Sequence, residues 1–347
     1  MELEQTLPRP ALVTKTTPVD HPRFPVIDCH NHLSDTFGGD SIDWVKRPLP
    51  ELLELLDQCG LRGFVDLDGM WGEDLFHSHL AAFKQPAPEF FRVFCGVDWL
   101  AWPAHGDRFG EWAAQKLSEH ARQGADGVKV WKDLGLQVVD QRGERVSVDD
   151  PRLDPLWAAA GELGLPVTMH LADPVAFFEP HDARNERWEE LHAHPEWHFP
   201  SPPFPAFLTI MESMARVIAR HPNTTFIGAH AGCYAENLEW VSQLMDRCPN
   251  FYMDISARLG ELGRQPYTAR RFFLRQADRI LFGLDEVPRV AAYRLYYRFL
   301  ETDDEYFNYG LGEHPHQGRW SIYGLYLPDE VLEKVYFRNS ERLFHFG

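Results

Sequence analysis

The chain has no run of about 18 apolar residues, so nothing in it reads as a membrane-spanning helix. It has no basic block either: 34 lysines and arginines are outnumbered by 52 acidic residues, for a formal net charge of −18. Such a chain repels a phosphate backbone or an anionic lipid surface, which sets aside nucleic acid and membrane as partners. Cysteine is scarce. The five present (Cys29, Cys59, Cys95, Cys233 and Cys248) are scattered and form no Cys-x-x-Cys pair, so neither a disulfide framework nor a zinc ribbon is indicated. The first residues, MELEQTLPRP, lack the apolar core of a signal peptide, and a reduced, cytoplasmic setting is the expectation. No glycine-rich phosphate loop follows the first apolar run, which excludes a dinucleotide-binding half. No repeat of solenoid period is visible.

What remains is an ordinary globular composition, 44% hydrophobic and 25% charged over 347 residues, enough for a large core. Residues 1–24 read as an irregular arm, because Pro8, Pro10, Pro18 and Pro22 interrupt regular structure. From residue 25 to 347 one domain is expected. Eight short apolar runs suit a sheet buried on both faces: residues 26–30, 63–67, 92–96, 127–131, 166–170, 225–229, 251–255 and 279–283. Helical patterns lie between them. Leu49, Leu52, Leu53 and Leu56 form one stripe ending at Gly60, and Asp154-Pro155 reads as an N-cap and first turn. Further helices are expected over 207–220, 235–247 and 328–344. Eight strands each followed by a helix predict a parallel (β/α)8 TIM barrel, an α/β fold. Two segments exceed a minimal barrel, 173–206 and 300–322; both are aromatic-rich and are expected to cover the C-terminal face, where barrels build their sites.

The chemistry starts at Asp28-Cys29-His30-Asn31-His32. On a strand, His30 and His32 share a face and can chelate one metal ion, with Asp28 one step deeper on the same side. His77 and His79 repeat the spacing within a helical pattern, where residues two apart do not face each other; that pair reads as solvated surface. Three later strands end in a residue of metal-binding type: His170 after strand five, His230 after strand six and Asp285 after strand eight. A lone histidine at a strand end is usually structural. Five such residues at one end of one barrel indicate a site.

These stretches resemble the amidohydrolase superfamily, in its amidohydrolase-related (type 2) branch of hydrolases and nonoxidative decarboxylases. The resemblance is carried by Ile27-Asp28-x-His30-x-His32, Pro166-Val167-x-x-His170, Ile227-x-x-His230-x-Gly232 and Phe282-Gly283-x-Asp285-x-x-Pro288, and it runs from about residue 25 to 344. It implies that His30, His32, His170 and Asp285 bind one divalent metal ion. Zinc is the expectation, and manganese, iron or cobalt suits the same ligand types. It further implies that His230 is the general acid/base or the group that steadies the developing oxyanion, and that Asp285 also shuttles a proton. Some members of the superfamily carboxylate a lysine on strand four to bridge two metals. Here Lys129 and Lys132 lie on opposite faces, and the inward one is read as a cationic grip on substrate. Trp71, Trp99, Trp102 and Trp131 are candidate walls of an aromatic pocket, and Arg258 is a candidate partner for a substrate carboxylate.

The expected function is a metal-dependent hydrolase acting on an amide, ester or lactone of a small organic molecule. The alternatives are a metal-dependent decarboxylase of an aromatic or unsaturated acid, and a non-catalytic metal- or ligand-binding barrel. The N-terminal arm is long enough to reach a neighbour, so a homodimer stays open.

Overall fold

The computed structural model describes residues 10–34 and 43–347; residues 1–9 of the arm lie outside the described residues. Eight parallel strands follow one another in chain order: β1 Val26–Asn31, β2 Leu61–Asp66, β3 Phe91–Cys95, β4 Gly127–Val130, β5 Val167–Met169, β6 Phe226–Gly228, β7 Phe251–Asp254 and β8 Ile280–Leu281. Each expected apolar run became a strand, shifted by a residue or two. The ring is nearly closed. Cys29 N donates to Phe282 O at 2.9 Å and Asp285 N to His30 O at 2.8 Å, bridging the seam between β1 and the chain leaving β8. This is a TIM barrel.

The barrel interior is filled by Ile27, Cys29, Val65, Phe94, Ile227 and Leu281, with Phe344 and Phe346 of the C-terminus packed against them. Ile27 and Cys29 alternate with Asp28, whose carboxylate turns the other way, toward the outer helix Val290–Glu301: Tyr293 Oη donates to it at 2.6 Å. The β1–β2 register shifts between Asp28 and Asn31. Asp28 and His30 therefore do not serve one face, against the alternation expected of a regular strand; an irregularity at a barrel rim re-aims the side chains beyond it.

The helices follow the sequence closely where amphipathic spacing is strong. Leu49–Gln58 buries Leu52 and Leu56 and stops before Gly60, whose φ of +81° is the left-handed conformation glycine adopts without strain. Phe207–Arg220 coincides with its expected span. Two starts move. Asp150, not Asp154, caps the first turn of its helix by accepting from Arg152 N at 2.9 Å, because Pro151 already begins a 3-10 turn that runs into Asp154–Glu162. Asn237 caps Leu238–Arg247, three residues later than expected. The C-terminal helix, Asp329–Glu333 and Asn339–Phe344, passes through a wider π-type turn at Lys334–Arg338.

The arm and the two long segments are tied down by polar contacts. Thr17 Oγ1 donates to Asp304 at 2.7 Å, and Arg23 N to Glu301 at 3.0 Å. In the segment after β5, Arg187 is fully buried and pairs with Glu190 at 2.7 Å and with Glu261 of the helix following β7. Glu189 of the same segment accepts from Arg319 of the segment after β8 at 2.8 Å. The two segments are thus joined to each other and to the rim beyond β7. Among the described residues no helix is long and apolar enough to cross a membrane.

Candidate metal centre

The strand ends bring the five histidine and aspartate candidates into one buried cluster. His30 and His32 leave β1, His170 follows β5, His230 follows β6 and Asp285 follows β8. The Asp285 carboxylate is the hub: Oδ1 lies 3.2 Å from His32 Nε2 and 3.5 Å from His30 Nε2, and Oδ2 lies 3.6 Å from His230 Nε2. One donor atom each from His30, His230 and Asp285 fall within 4.8 Å of one another. His170 stands at the edge, with Nδ1 3.2 Å from His230 Nε2.

Each imidazole is held from behind, which leaves its other nitrogen for the centre. Asp254, the last residue of β7, lies 2.9 Å from His30 Nδ1 and accepts from His230 N at 3.0 Å. Asp68, beyond β2, lies 2.7 Å from His32 Nδ1 and accepts from Leu33 N and Ser34 N, each at 2.7 Å. Asp173 meets His170 Nε2 at 3.1 Å, and Ser256 O meets His230 Nδ1 at 2.9 Å. Carboxylates behind ligand imidazoles fix tautomer and ring orientation. Asp254, Asp68 and Ser256 were not singled out from sequence; an aspartate closing the apolar run FYMD was the available signal for Asp254.

The electrostatics suit a cation. Burial, together with neighbouring His170 and Arg258, pushes the His230 imidazole well below its ordinary range, and burial holds His170 down to about 4. Burial, then the Lys129 ammonium, lowers His30 as well. Burial acts the same way on His32, but Asp68 and Asp285 outweigh it and raise it to about 10. Burial disfavours the Asp285 carboxylate, yet His30 and His32 hold it ionised far below the usual range. Asp285 Oδ1 is buried without a hydrogen-bond partner of good geometry, an expensive state for a carboxylate oxygen unless a cation meets it. His230 and Asp285 both adopt left-handed backbone, φ +57° each, which non-glycine residues hold only where the surroundings impose it. The residues present therefore fit a divalent metal: His30, His32 and His170 with Asp285, and His230 in the same cluster.

The two β4 lysines part company. Lys129 points inward, 2% exposed, with Nζ 3.0 Å from His30 Nε2; burial lowers its pKa. Lys132 points to the rim, where it pairs with Asp173 and so supports His170 from outside. The Trp131 ring meets His170 edge-on at 4.6 Å. Arg258 is buried beyond β7, with Nη1 donating to Ala257 O at 2.8 Å. Trp71 and Trp99 line a cavity beside the cluster, whereas Trp102 is core, stacked on Phe109 at 4.2 Å. His77 is exposed. His79, expected on the surface, is fully buried and paired through Nδ1 with Asp66, because its side of the helix Glu73–His79 faces the barrel.

The chain matches the family described as Amidohydrolase over residues 27–346. It belongs to the amidohydrolase superfamily, in the amidohydrolase-related branch. Solved structures of similar fold include 2,6-dihydroxybenzoate decarboxylase from Rhizobium, with 17% identity, TM-score 0.59, and coverage of 93% of this chain and 99% of that one. A putative amidohydrolase from Staphylococcus aureus has 16% identity, TM-score 0.57, and coverage of 93% and 100%. A dihydroxybenzoic acid decarboxylase from Polaromonas sp. JS666, with bound manganese and the inhibitor 2-nitroresorcinol, has 17% identity, TM-score 0.56, and coverage of 93% and 97%. No curated protein matches the chain. At such identities the likeness carries the fold of this amidohydrolase-family chain and not its reaction.

Proposed function

We propose that the chain is a metal-dependent hydrolase of a small amide, ester or lactone. The observation that carries the reading is the convergence of three imidazole nitrogens on a buried, ionised Asp285 carboxylate, one of whose oxygens makes no hydrogen bond of good geometry. His30, His32, His170 and Asp285 would hold one divalent ion, zinc or manganese by ligand type. A bound ion there supplies Lewis acidity, which lowers the pKa of water and polarises a substrate carbonyl.

The chain's own residues do the rest. Asp285, kept ionised by His30 and His32, accepts a proton from the attacking water and returns it to the leaving group. His230, kept neutral by burial and with its Nδ1–H donated to Ser256 O, directs an unprotonated Nε2 into the cluster and acts there as a proton acceptor alongside Asp285. Asp254 and Asp68 prevent the two β1 imidazoles from turning away. Lys129 adds a buried nitrogen beside His30, placed to grip an anionic group formed in the reaction.

Decarboxylation of an aromatic acid is the second reading. It is favoured by the decarboxylase neighbours and by the buried Arg258 and Lys129, which suit a carboxylate. The test begins with elemental analysis of purified wild type and of His30→Ala/His32→Ala, followed by assays of ester, amide and lactone hydrolysis and of carbon dioxide release from hydroxybenzoates. One ion per chain, lost in the variant, with hydrolysis abolished by Asp285→Asn, supports the proposal. Two ions would assign Lys129, in carboxylated form, as a further ligand. Carbon dioxide release without hydrolysis would transfer the assignment to the second reading, and absence of metal after reconstitution would overturn both.

A further inference from the structure

A large cavity lies not at the metal centre but beside it. About 820 Å³ opens between the loops following β2, β3 and β4 and the helices Glu73–His79 and Phe109–Gln123. Its wall is mainly aromatic and aliphatic, with Trp71, Phe76, Trp99, Trp112, Val138 and Leu156. It adjoins the centre through a pair of indoles. The Trp71 ring, on the cavity wall, lies 5.5 Å from the Trp131 ring, which in turn meets His170 at 4.6 Å. A molecule lodged against Trp71 is separated from the candidate ligand His170 by this one pair of indoles.

The charges around this space select its occupant. Lys116 is the one lysine or arginine among the described lining residues, and it is already paired with Glu73 at 3.4 Å and Glu119 at 3.1 Å. Asp98 caps its own turn, accepting from Leu100 N at 3.0 Å. Asp133 accepts from Leu134 N at 2.9 Å and makes no ion pair among the described residues; burial pushes its carboxyl up to about 6. An anion entering here would meet carboxylates and an already satisfied lysine, in surroundings that hydrate it poorly. An uncharged ring or alkyl group gains contact area with the indoles and loses no hydration shell.

We propose that this cavity receives an uncharged aromatic or alkyl group of the substrate, whose reacting carbonyl extends past Trp71 and Trp131 to the metal centre, and that Asp133 excludes acids from it. The reacting group rests on the hydrolase reading; the occupant of the cavity does not. The substrate class is then an ester or amide with a bulky uncharged apolar portion, cleaved by adding water across the acyl–heteroatom bond.

Two arms test it. In the first, isothermal titration calorimetry of the full metal-free chain compares 2-naphthol with 2-naphthoate at pH 7.5, the same ring system without and with a charge. The expected result is one site for 2-naphthol, at least about tenfold tighter than for 2-naphthoate. Ala113→Phe, which fills the wall, and Val139→Trp, which narrows the exposed mouth, are each expected to weaken 2-naphthol by about tenfold or more. Circular dichroism checks that each variant folds; Val139 is 45% exposed, so Val139→Trp keeps the test standing if Ala113→Phe disturbs the fold. Asp133→Asn should narrow the gap between the two ligands. No binding of 2-naphthol, preference for 2-naphthoate, or binding unmoved by either cavity variant overturns the proposal. In the second arm, metal-loaded enzyme hydrolyses 2-naphthyl acetate to acetate and 2-naphthol, and the cavity variants lower its kcat/KM relative to that for methyl acetate. A ratio unmoved in variants that have lost 2-naphthol binding overturns the cavity's link to the reaction. Hydrolysis of neither ester sinks the hydrolase reading, while calorimetry still decides the occupant.

Discussion

Two histidine pairs with the same one-residue spacing take opposite fates in this molecule. His30 and His32 close β1, and their Nε2 atoms stand 3.5 and 3.2 Å from one Asp285 oxygen. His77 and His79 lie on a helix, where residues two apart point roughly 200° from each other. His77 is exposed and reaches Gln123 at 3.2 Å, while His79 is buried against Asp66. Spacing acquires chemical meaning only through the backbone that carries it. Yet the pairs share a support: Asp66 holds His79, Asp68 holds His32, and Asp68 N donates to Asp66 at 3.1 Å. The end of β2 thus supplies one carboxylate to orient a candidate ligand and another that is compensated by a structural histidine.

The sharpest way to break this contrast is Asp285→Asn. Neutralising the hub should lower kcat on the order of 10³-fold and reduce bound metal; a loss below tenfold would separate the strand pair from the chemistry. His79→Ala leaves the Asp66 carboxylate buried without its partner and should cost about 3–5 kcal/mol of stability by urea unfolding, with metal content retained. Asp68→Asn should weaken metal binding by about 10–100-fold in competition with a chelator, since His32 loses the group that fixes its ring. A smaller effect is expected from pH. In metal-free protein Asp28 is raised by burial to about 7 and His32 by Asp68 and Asp285, against burial, to about 10. A raised folded-state pKa contributes stability that is present below the unfolded value and lost as pH rises through the folded one. The urea midpoint should therefore fall between about pH 6.5 and 10 through His32, whereas between about pH 4 and 7 the loss through Asp28 is opposed by His30, His170 and His230, whose lowered pKa values add stability as pH rises; a midpoint that climbs across the upper window contradicts the His32 assignment. Smallest is His77→Ala, expected within about 0.5 kcal/mol of wild type. If it rivals His79→Ala, the two helical histidines are not the unequal pair described.

The residues of the candidate site were legible because each closes its own apolar run: His30 and His32 after VIDC, His170 after VTM, His230 after FIGA and Asp285 after LFGL. A parallel barrel places all such ends at one rim. Residues whose part depends on rotation about a strand or on a distant neighbour were not legible. Lys129 and Lys132 are three apart and so opposed, but which one enters the barrel depends on the β4 register with Thr168 and Val167 of β5. Asp28 left the His30 face at a register shift that no local pattern announced. His79 needed Asp66, thirteen residues away, and Arg187 needed Glu261, seventy-four away.

Order along the chain, the alternation of apolar runs with amphipathic helices, and the polar residue closing each run are local properties. They were enough to determine a parallel barrel with imidazoles and a carboxylate at one rim. Tertiary structure alone decided which lysine entered, which carboxylate stood behind each imidazole, and that an apolar cavity lies one indole pair from the cluster. Those outcomes depend on contacts between distant residues, whose burial and charge exist only once the ring of strands has closed.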